Sequence, residues 1–251
     1  NFDIMKKFLF VVALVLYVQS IHSQVLISLI FGDKLNSPNI EFGLEGGANF
    51  SNITNLESAK NRTDFNLGFY FDFLLNNPSW AINTGVIVKS TLGANGLPVY
   101  SLNNAELDNA FASGHVDRKI GYFNVPIMLK YKFENNIYIK AGTQLGLLSK
   151  AYDEFKSDFE GEDLIYKNKI RDQIHVIDAG IAIGAGYRLM GGNGMNRGIN
   201  YYYGLVPIMK GDEPNQYHRS LYITAGIPIG KGKAEKKAAE KKAIENGTVS
   251  K

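Results

Sequence analysis

Large apolar residues recur at every second position in short stretches, with polar or very small residues between them. The clearest stretch is Phe65-Asn66-Leu67-Gly68-Phe69-Tyr70-Phe71-Asp72-Phe73, where the odd positions are large and apolar and the even ones are Asn, Gly, Tyr and Asp. Ile137, Ile139, Ala141, Leu145 and Leu147 oppose Lys140, Gly142, Gln144 and Gly146 in the same way. Ile177, Ile181, Ile183 and Tyr187 oppose Asp178, Gly180, Gly184, Gly186 and Arg188. A period of two puts alternate side chains on opposite faces of a strand. Five further segments, near 40–50, 80–90, 120–133, 197–207 and 219–229, share the rhythm. Eight strands of about ten residues are the pattern expected of a membrane barrel.

The connections alternate in length. Asn76-Asn77-Pro78-Ser79, Glu134-Asn135-Asn136 and Gly191-Gly192-Asn193-Gly194 read as tight turns, whereas 51–64, 91–119, 150–173 and 208–218 are long. The predicted fold is therefore all-β: an eight-stranded antiparallel up-and-down transmembrane β-barrel with short periplasmic turns and long outer loops. An even strand number then leaves both termini in the periplasm.

Alternation alone also fits a soluble lipocalin-like ligand-binding barrel, whose apolar face points inward. The polar face decides between them. It is crowded with glycine, including Gly43, Gly47, Gly68, Gly85, Gly142, Gly180, Gly184 and Gly226, as a narrow lumen requires. Its charges come in both signs: Glu41, Glu45, Asp72 and Asp178 against Lys89, Lys130, Lys132, Lys140 and Arg188. Buried charges persist only when paired, so these nine residues are expected to form a lumen charge network. The opposite face is nearly free of charge and suits lipid. Phe42, Phe73, Trp80, Phe133 and Tyr187 fall near the turn ends of their strands, as an interfacial aromatic girdle would.

The ends read differently. Met5-Lys6-Lys7, the apolar run Phe8–Val18 and Ser23 before Gln24 resemble a secretory signal peptide spanning 5–23, and Asn1–Ile4 precede its Met. Residues 24–39 form a lead-in and 40–230 the barrel. The segment 231–251 is a Lys/Ala/Glu-rich tail with high helix propensity and no apolar face to bury, expected to be solvated. With no cysteine, disulfides and thiolate metal sites are excluded. A net charge of +3 gives no basis for binding nucleic acid.

The barrel segment resembles the PorT-like outer-membrane β-barrel family of Bacteroidota. The resemblance is carried by Asn39–Gly47 at the first strand and by Phe123-Asn124-Val125-Pro126-Ile127-Met128-Leu129-Lys130-Tyr131 at the fourth. Tyr138–Gly146 in the fifth, and Asp178-Ala179-Gly180 with Gly184–Tyr187 in the sixth, add to it. Ile27–Leu35 is similar to the periplasmic lead-in of some relatives. The resemblance covers roughly residues 27–229. It implies a non-enzymatic envelope protein, in some members linked to protein secretion, and it supplies no catalytic residues. Here the last strand ends Ile227-Pro228-Ile229 and continues into the tail, where many outer-membrane barrels end on an aromatic residue.

The search for chemistry yields little. His22, His115, His175 and His218 show no metal-ligand spacing, and no Gly-x-Ser-x-Gly is present. His175 and His218, with Asp172, Asp212 or Ser220, are the residues a rim hydrolase would use. The acidic stretch Asp153–Asp163 lacks the spacing of a calcium loop, and lysines interrupt it. The expectation is a protein without catalytic residues, cofactor or metal, whose partners are outer-membrane lipid and other envelope proteins. A small-solute pore is the alternative.

Overall fold

The computed structural model describes residues 35–159, 162–192, 194–211 and 215–229. The expected signal segment, most of the lead-in and the Lys-rich tail lie outside these residues. The chain divides into two units, Gly43–Pro228 and the two ends, Asn1–Phe42 with Ile229–Lys251.

The described residues form nine strands: β1 (Ile40–Ile53), β2 (Arg62–Leu74), β3 (Trp80–Leu97), β4 (His115–Lys132), β5 (Ile137–Phe159), β6 (Glu162–Lys169), β7 (Ile177–Arg188), β8 (Asn196–Gly204) and β9 (His218–Pro228). Sheet neighbours follow the order β4-β3-β2-β1-β9-β8-β7-β5-β6, and a β4–β5 pairing closes the ring. Eight strands thus form a closed antiparallel barrel, which abolishes free edges, and β6 hangs outside it on the far half of β5.

Local sequence accounts for the turns. Between β2 and β3, the Asn77 carbonyl accepts from the Trp80 amide at 2.9 Å and the Asn77 side chain accepts from the Ser79 amide at 2.9 Å. Between β4 and β5, Asn136 adopts φ 64°, a conformation that asparagine tolerates. Between β7 and β8, Met190 (φ 53°) and Gly191 (φ 61°) turn the chain.

The faces fall as the period of two requires. Asn66, Gly68, Tyr70 and Asp72 are buried, whereas Phe65, Leu67, Phe69, Phe71 and Phe73 are half-buried or exposed. Leu129, Ile139, Ile183 and Ile223 are 47–55% exposed, on the outside of the ring. A soluble barrel lined by apolar residues would have the opposite arrangement. Inside, Tyr70 lies against Gly43 and Gly226, and Tyr138 against Gly186 and Gly198. A Cβ at Gly43 or Gly186 would collide with the ring, so glycine makes room for tyrosine across the lumen.

Three strands are much longer than their alternation suggested. β3 and β4 have 18 residues each and β5 has 23, but β7 pairs only with Ile137–Leu147 of β5. At about 3.3 Å per residue, the rest of β5 projects some 40 Å beyond that pairing. Two irregularities concealed this. Between Ile87 and Ser90, β3 carries one residue more than β4, and between Leu148 and Lys150, β5 carries one more than β4. Each bulge exchanges the faces of the strand beyond it. Stretches read as loops, 91–119 and 150–173, therefore contain continuations of β3, β4 and β5, with α1 (Ala105–Ala110) and β6 added.

Beyond the bulges, the inward positions become apolar and the outward ones charged. Leu92, Val116, Ile120, Phe155, Ile170 and Ile174 form a buried cluster. Phe111, just after α1, packs edge-on against Phe155 at 5.8 Å. Asn104 caps α1 by accepting from the Glu106 and Leu107 amides. On β4 the outward series runs from Phe133 to Phe123, about ten residues, which is the length a tilted membrane strand needs. It then changes to Lys119 and Asp117.

Two expectations about particular residues are corrected. Lys89 is exposed on the outer face, 5.8 Å from the Phe65 ring centre, because the β3 bulge exchanges the faces there. Phe42 is 2% exposed and is no girdle residue. In its unit the Asn36 side chain accepts from the Phe42 amide at 2.9 Å and donates to the Ile229 carbonyl, which ties the Leu35–Asn39 segment to this end of the strand. Phe73, Trp80, Phe133 and Tyr187 are 37–44% exposed at the turn end, and Trp80 and Phe133 both pack on Tyr131, at 4.7 and 4.8 Å.

Candidate site at the loop end of the barrel

Two groups of polar side chains are built into the barrel, one in the lumen and one beyond the apolar band. The lumen group brings together several of the residues expected there. The Lys130 ammonium donates to Asp72 Oδ2 at 2.6 Å and lies 4.4 Å from the Tyr138 ring centre. The Asn83 amide donates to Asp72 Oδ1 at 2.6 Å, and its oxygen accepts from Lys140 at 3.1 Å. Glu45 and Lys140 line one small cavity of about 30 Å³, the share of liquid taken by one water molecule.

The others occupy other positions. Asp178 accepts from the Tyr202 hydroxyl at 2.8 Å. Glu41 and Arg188 are buried and Lys132 is half-buried, all towards the turn end of their strands. Lys89 faces out. Tyr70, Tyr122, Tyr138, Tyr202 and Tyr222, all buried, occupy the lumen between these polar groups.

The second group was not anticipated from the sequence. Arg118 on β4 and Asp153 on β5 stand directly opposite each other in register. Arg118 Nε donates to Asp153 Oδ1 at 2.9 Å and Nη2 to Oδ2 at 2.8 Å, a bidentate pair with Asp153 fully buried. The Tyr100 hydroxyl donates to Asp153 Oδ2 at 3.0 Å and accepts from Asn168 on β6 at 2.9 Å. Burial, followed by the neighbouring Asp153 charge, pushes the Tyr100 phenol up to about 12, so it remains a donor. Above the pair opens a cavity of about 290 Å³. Its apolar walls come from Leu56, Leu97, Pro98, Val116 and Met209, and its polar groups include Lys210, Asn215 and Gln216.

On the other face of the same strands, Lys119 meets Glu154 at 2.5 Å, and Lys156 meets Asp117 at 2.8 Å and Glu154 at 3.4 Å. Burial alone would raise the Asp117 carboxyl. Hydrogen bonds from Lys156 and the Gly96 amide outweigh it and hold the group below the ordinary aspartate range. Within the acidic stretch, Glu154 is thus matched by lysines and Asp153 by Arg118 across strands, and no cluster of metal-ligating side chains exists among the described residues.

The hydrolase residues that are described do not converge. His175 is exposed, whereas His218 is fully buried with Nε2 3.4 Å from the Tyr122 hydroxyl. Ser220 is buried two residues further along β9, and Asp172 lies exposed on the 3-10 turn Arg171–Gln173. Asp212 is outside the described residues.

The missed signal in the sequence was the apolar-charged-apolar succession Val116-Arg118-Ile120 and Ala151-Asp153-Phe155. A lone charge of opposite sign interrupts each inward series.

Comparison with known proteins places this geometry in context. Residues 33–210 match the family described as Outer membrane protein beta-barrel domain. No curated protein matches the chain. Among solved structures, Ail, the attachment invasion locus protein of Yersinia pestis, is similar at 13% identity and a TM-score of 0.38, covering 75% of this chain and 98% of its own. The outer membrane protein OprG from Pseudomonas aeruginosa is similar at 16% identity and a TM-score of 0.33, covering 77% and 96%.

Proposed function

Because this chain belongs to the Outer membrane protein beta-barrel domain family, we propose that it is a non-enzymatic outer-membrane protein that engages other envelope components through its loop end. The long loops and the strand extension face the cell exterior in this reading, and the short turns and both termini face the periplasm, as is usual for such barrels. Outer-membrane lipid surrounds the ring. The finer placement among PorT-like barrels, and with it a role connected to protein secretion, is supported by the strand motifs at Asn39–Gly47 and Phe123–Tyr131.

The observation that carries the reading is the contrast between the two halves of the barrel. The lumen is filled by tyrosines and cross-linked charges, leaving about 30 Å³ beside Lys140. The extension is a folded sheet ending in β6, whose second edge has no strand partner among the described residues and which exposes Ile165 (59%) and Tyr166 (37%). An unpaired edge with apolar side chains is a surface suited to a protein partner.

A small-solute pore is the second reading, favoured only by the barrel form itself. Eight strands leave an interior just wide enough for side chains. The purified full-length protein in planar bilayers is expected to give no sustained single-channel conductance. A photo-crosslinker at Ile165 in intact cells is expected to capture envelope protein, while one at Met190 on the turn end serves as the comparison. Sustained conductance, or adducts to lipid alone from Ile165, would overturn the proposal.

A further inference from the structure

We infer that the cavity above Arg118 is a binding site for a small carboxylate with a short, branched aliphatic body. The inference concerns this cavity and is independent of any protein partner at β6.

The guanidinium has five N–H donors in a fixed fork. Asp153 takes two of them, from Nε and Nη2. Among the described residues, Nη1 meets soft or long acceptors, the Met209 sulfur at 3.6 Å and Gln216 Oε1 at 3.4 Å. Both of those residues line the cavity, so Nη1 stands at its wall. Asp153, which also lines the cavity, has three of its roughly four acceptor sites taken, two by Arg118 and one by Tyr100. The acidic member of the pair therefore keeps about one acceptor site, while the basic member keeps about three charged N–H donors beyond those given to Asp153. A carboxylate oxygen placed at Nη1 would replace two weak contacts by a charge-assisted hydrogen bond.

The remaining walls define the rest of the ligand. Arg118 is 9% exposed and Gln216 7%, so the polar end of the cavity is screened from bulk water, where such a bond is stronger. Leu56, Leu97, Pro98, Val116 and Met209 give the other end an apolar lining suited to methyl and methylene groups. A volume of about 290 Å³ sits at the lower end of ligand pockets, which run from about 300 to 1,000 Å³, and so fits a body the size of one amino acid. Lys210, exposed at the rim, adds a second cation.

The test uses the full-length protein in lipid nanodiscs and three probes with the same body: 4-methylvalerate, its uncharged amide and isoamylamine. Ligand-observed NMR titration is expected to give saturable binding of the carboxylate, at least about tenfold tighter than either of the other two. Gln216→Glu would place an internal carboxylate beside Nη1 with little change in shape. It is expected to weaken 4-methylvalerate by about tenfold or more while leaving the amide unchanged, an effect that a merely greasy pocket would not show. Met209→Trp, which leaves both members of the ion pair unchanged, is expected to remove binding of all three by filling the space. Heat-modifiable gel mobility shows that each variant retains the folded barrel. Equal affinity for the three probes, tighter binding of the amine, no saturable binding of any, or an unchanged carboxylate affinity in Gln216→Glu would each overturn the assignment.

Discussion

Replacing Asp72 with alanine is expected to destabilise the barrel by about 3–5 kcal/mol, the usual cost of removing one partner from a buried ion pair. Asp72 is 4% exposed and Lys130 7%, and they meet at 2.6 Å in the lumen. Without the carboxylate, the Lys130 ammonium keeps only the Tyr138 ring, and Lys140 is linked to the same cluster through Asn83. Two cations would then share a narrow space with the Glu45 carboxylate beside Lys140 in place of two anions. The double replacement Asp72→Leu with Lys130→Met removes both charges and should recover most of the loss, since apolar substitution of a whole pair is often close to neutral. Urea unfolding of the protein in lipid vesicles measures both. A loss below about 1 kcal/mol for Asp72→Ala would mean that water screens the pair. It would also revive the pore.

Ile183→Arg is expected to cost about 2–4 kcal/mol, the penalty for a cation facing lipid near the bilayer midplane. Ile183 lies in the middle of β7, 55% exposed, opposite Ala141 on one side and Tyr201 on the other. Ile165 on β6 has almost the same exposure, 59%, but lies on the extension where neighbouring strands carry matched charges. Arginine there should change stability by no more than about 0.5 kcal/mol, as for an ordinary surface position. The two isoleucines cannot be told apart by exposure alone. Only the medium beyond each differs, lipid for one and water for the other. The same unfolding measurement reads the difference, and equal costs at the two sites would place them in the same medium.

The ring was legible because its strands obey one rule without interruption. From Phe65 to Phe73, and from Ile137 to Leu147, nothing breaks the period of two, so both the strand and the side of each residue follow from the sequence. The extension was hidden by single extra residues. Past Ile87 and past Leu148 the pattern resumes on the other face, and a reading that expects strict alternation sees only a loop. Lys89 sits within the first bulge, which is why its side chain points outward instead of into the lumen.

The same difficulty governs the charges. That Asp72, Lys130 and Lys140 belong to the inward series can be read from local spacing, but the choice of partner depends on register between strands. Lys130 and Asp72 are 58 residues apart in sequence, and Asp153 and Arg118 are 35 apart. Pairing over that distance is set by the cumulative stagger of the ring, including its bulges, and local sequence does not contain it. The acidic stretch 153–163 illustrates the consequence. Read alone it is an excess of carboxylates; across the strands Lys119 and Lys156 neutralise Glu154, and Arg118 neutralises Asp153.

The account depends on which medium each face of the strands meets, and lipid-to-protein magnetisation transfer by NMR on the unmodified protein in bilayers reads that directly. Transfer from acyl-chain protons is expected to reach the methyls of Leu129, Ile139 and Ile183 early, and the methyl of Ala182, one residue away and 2% exposed, late or not at all. Early transfer to Ala182, with the Ile183 methyls coupled to water, would contradict it.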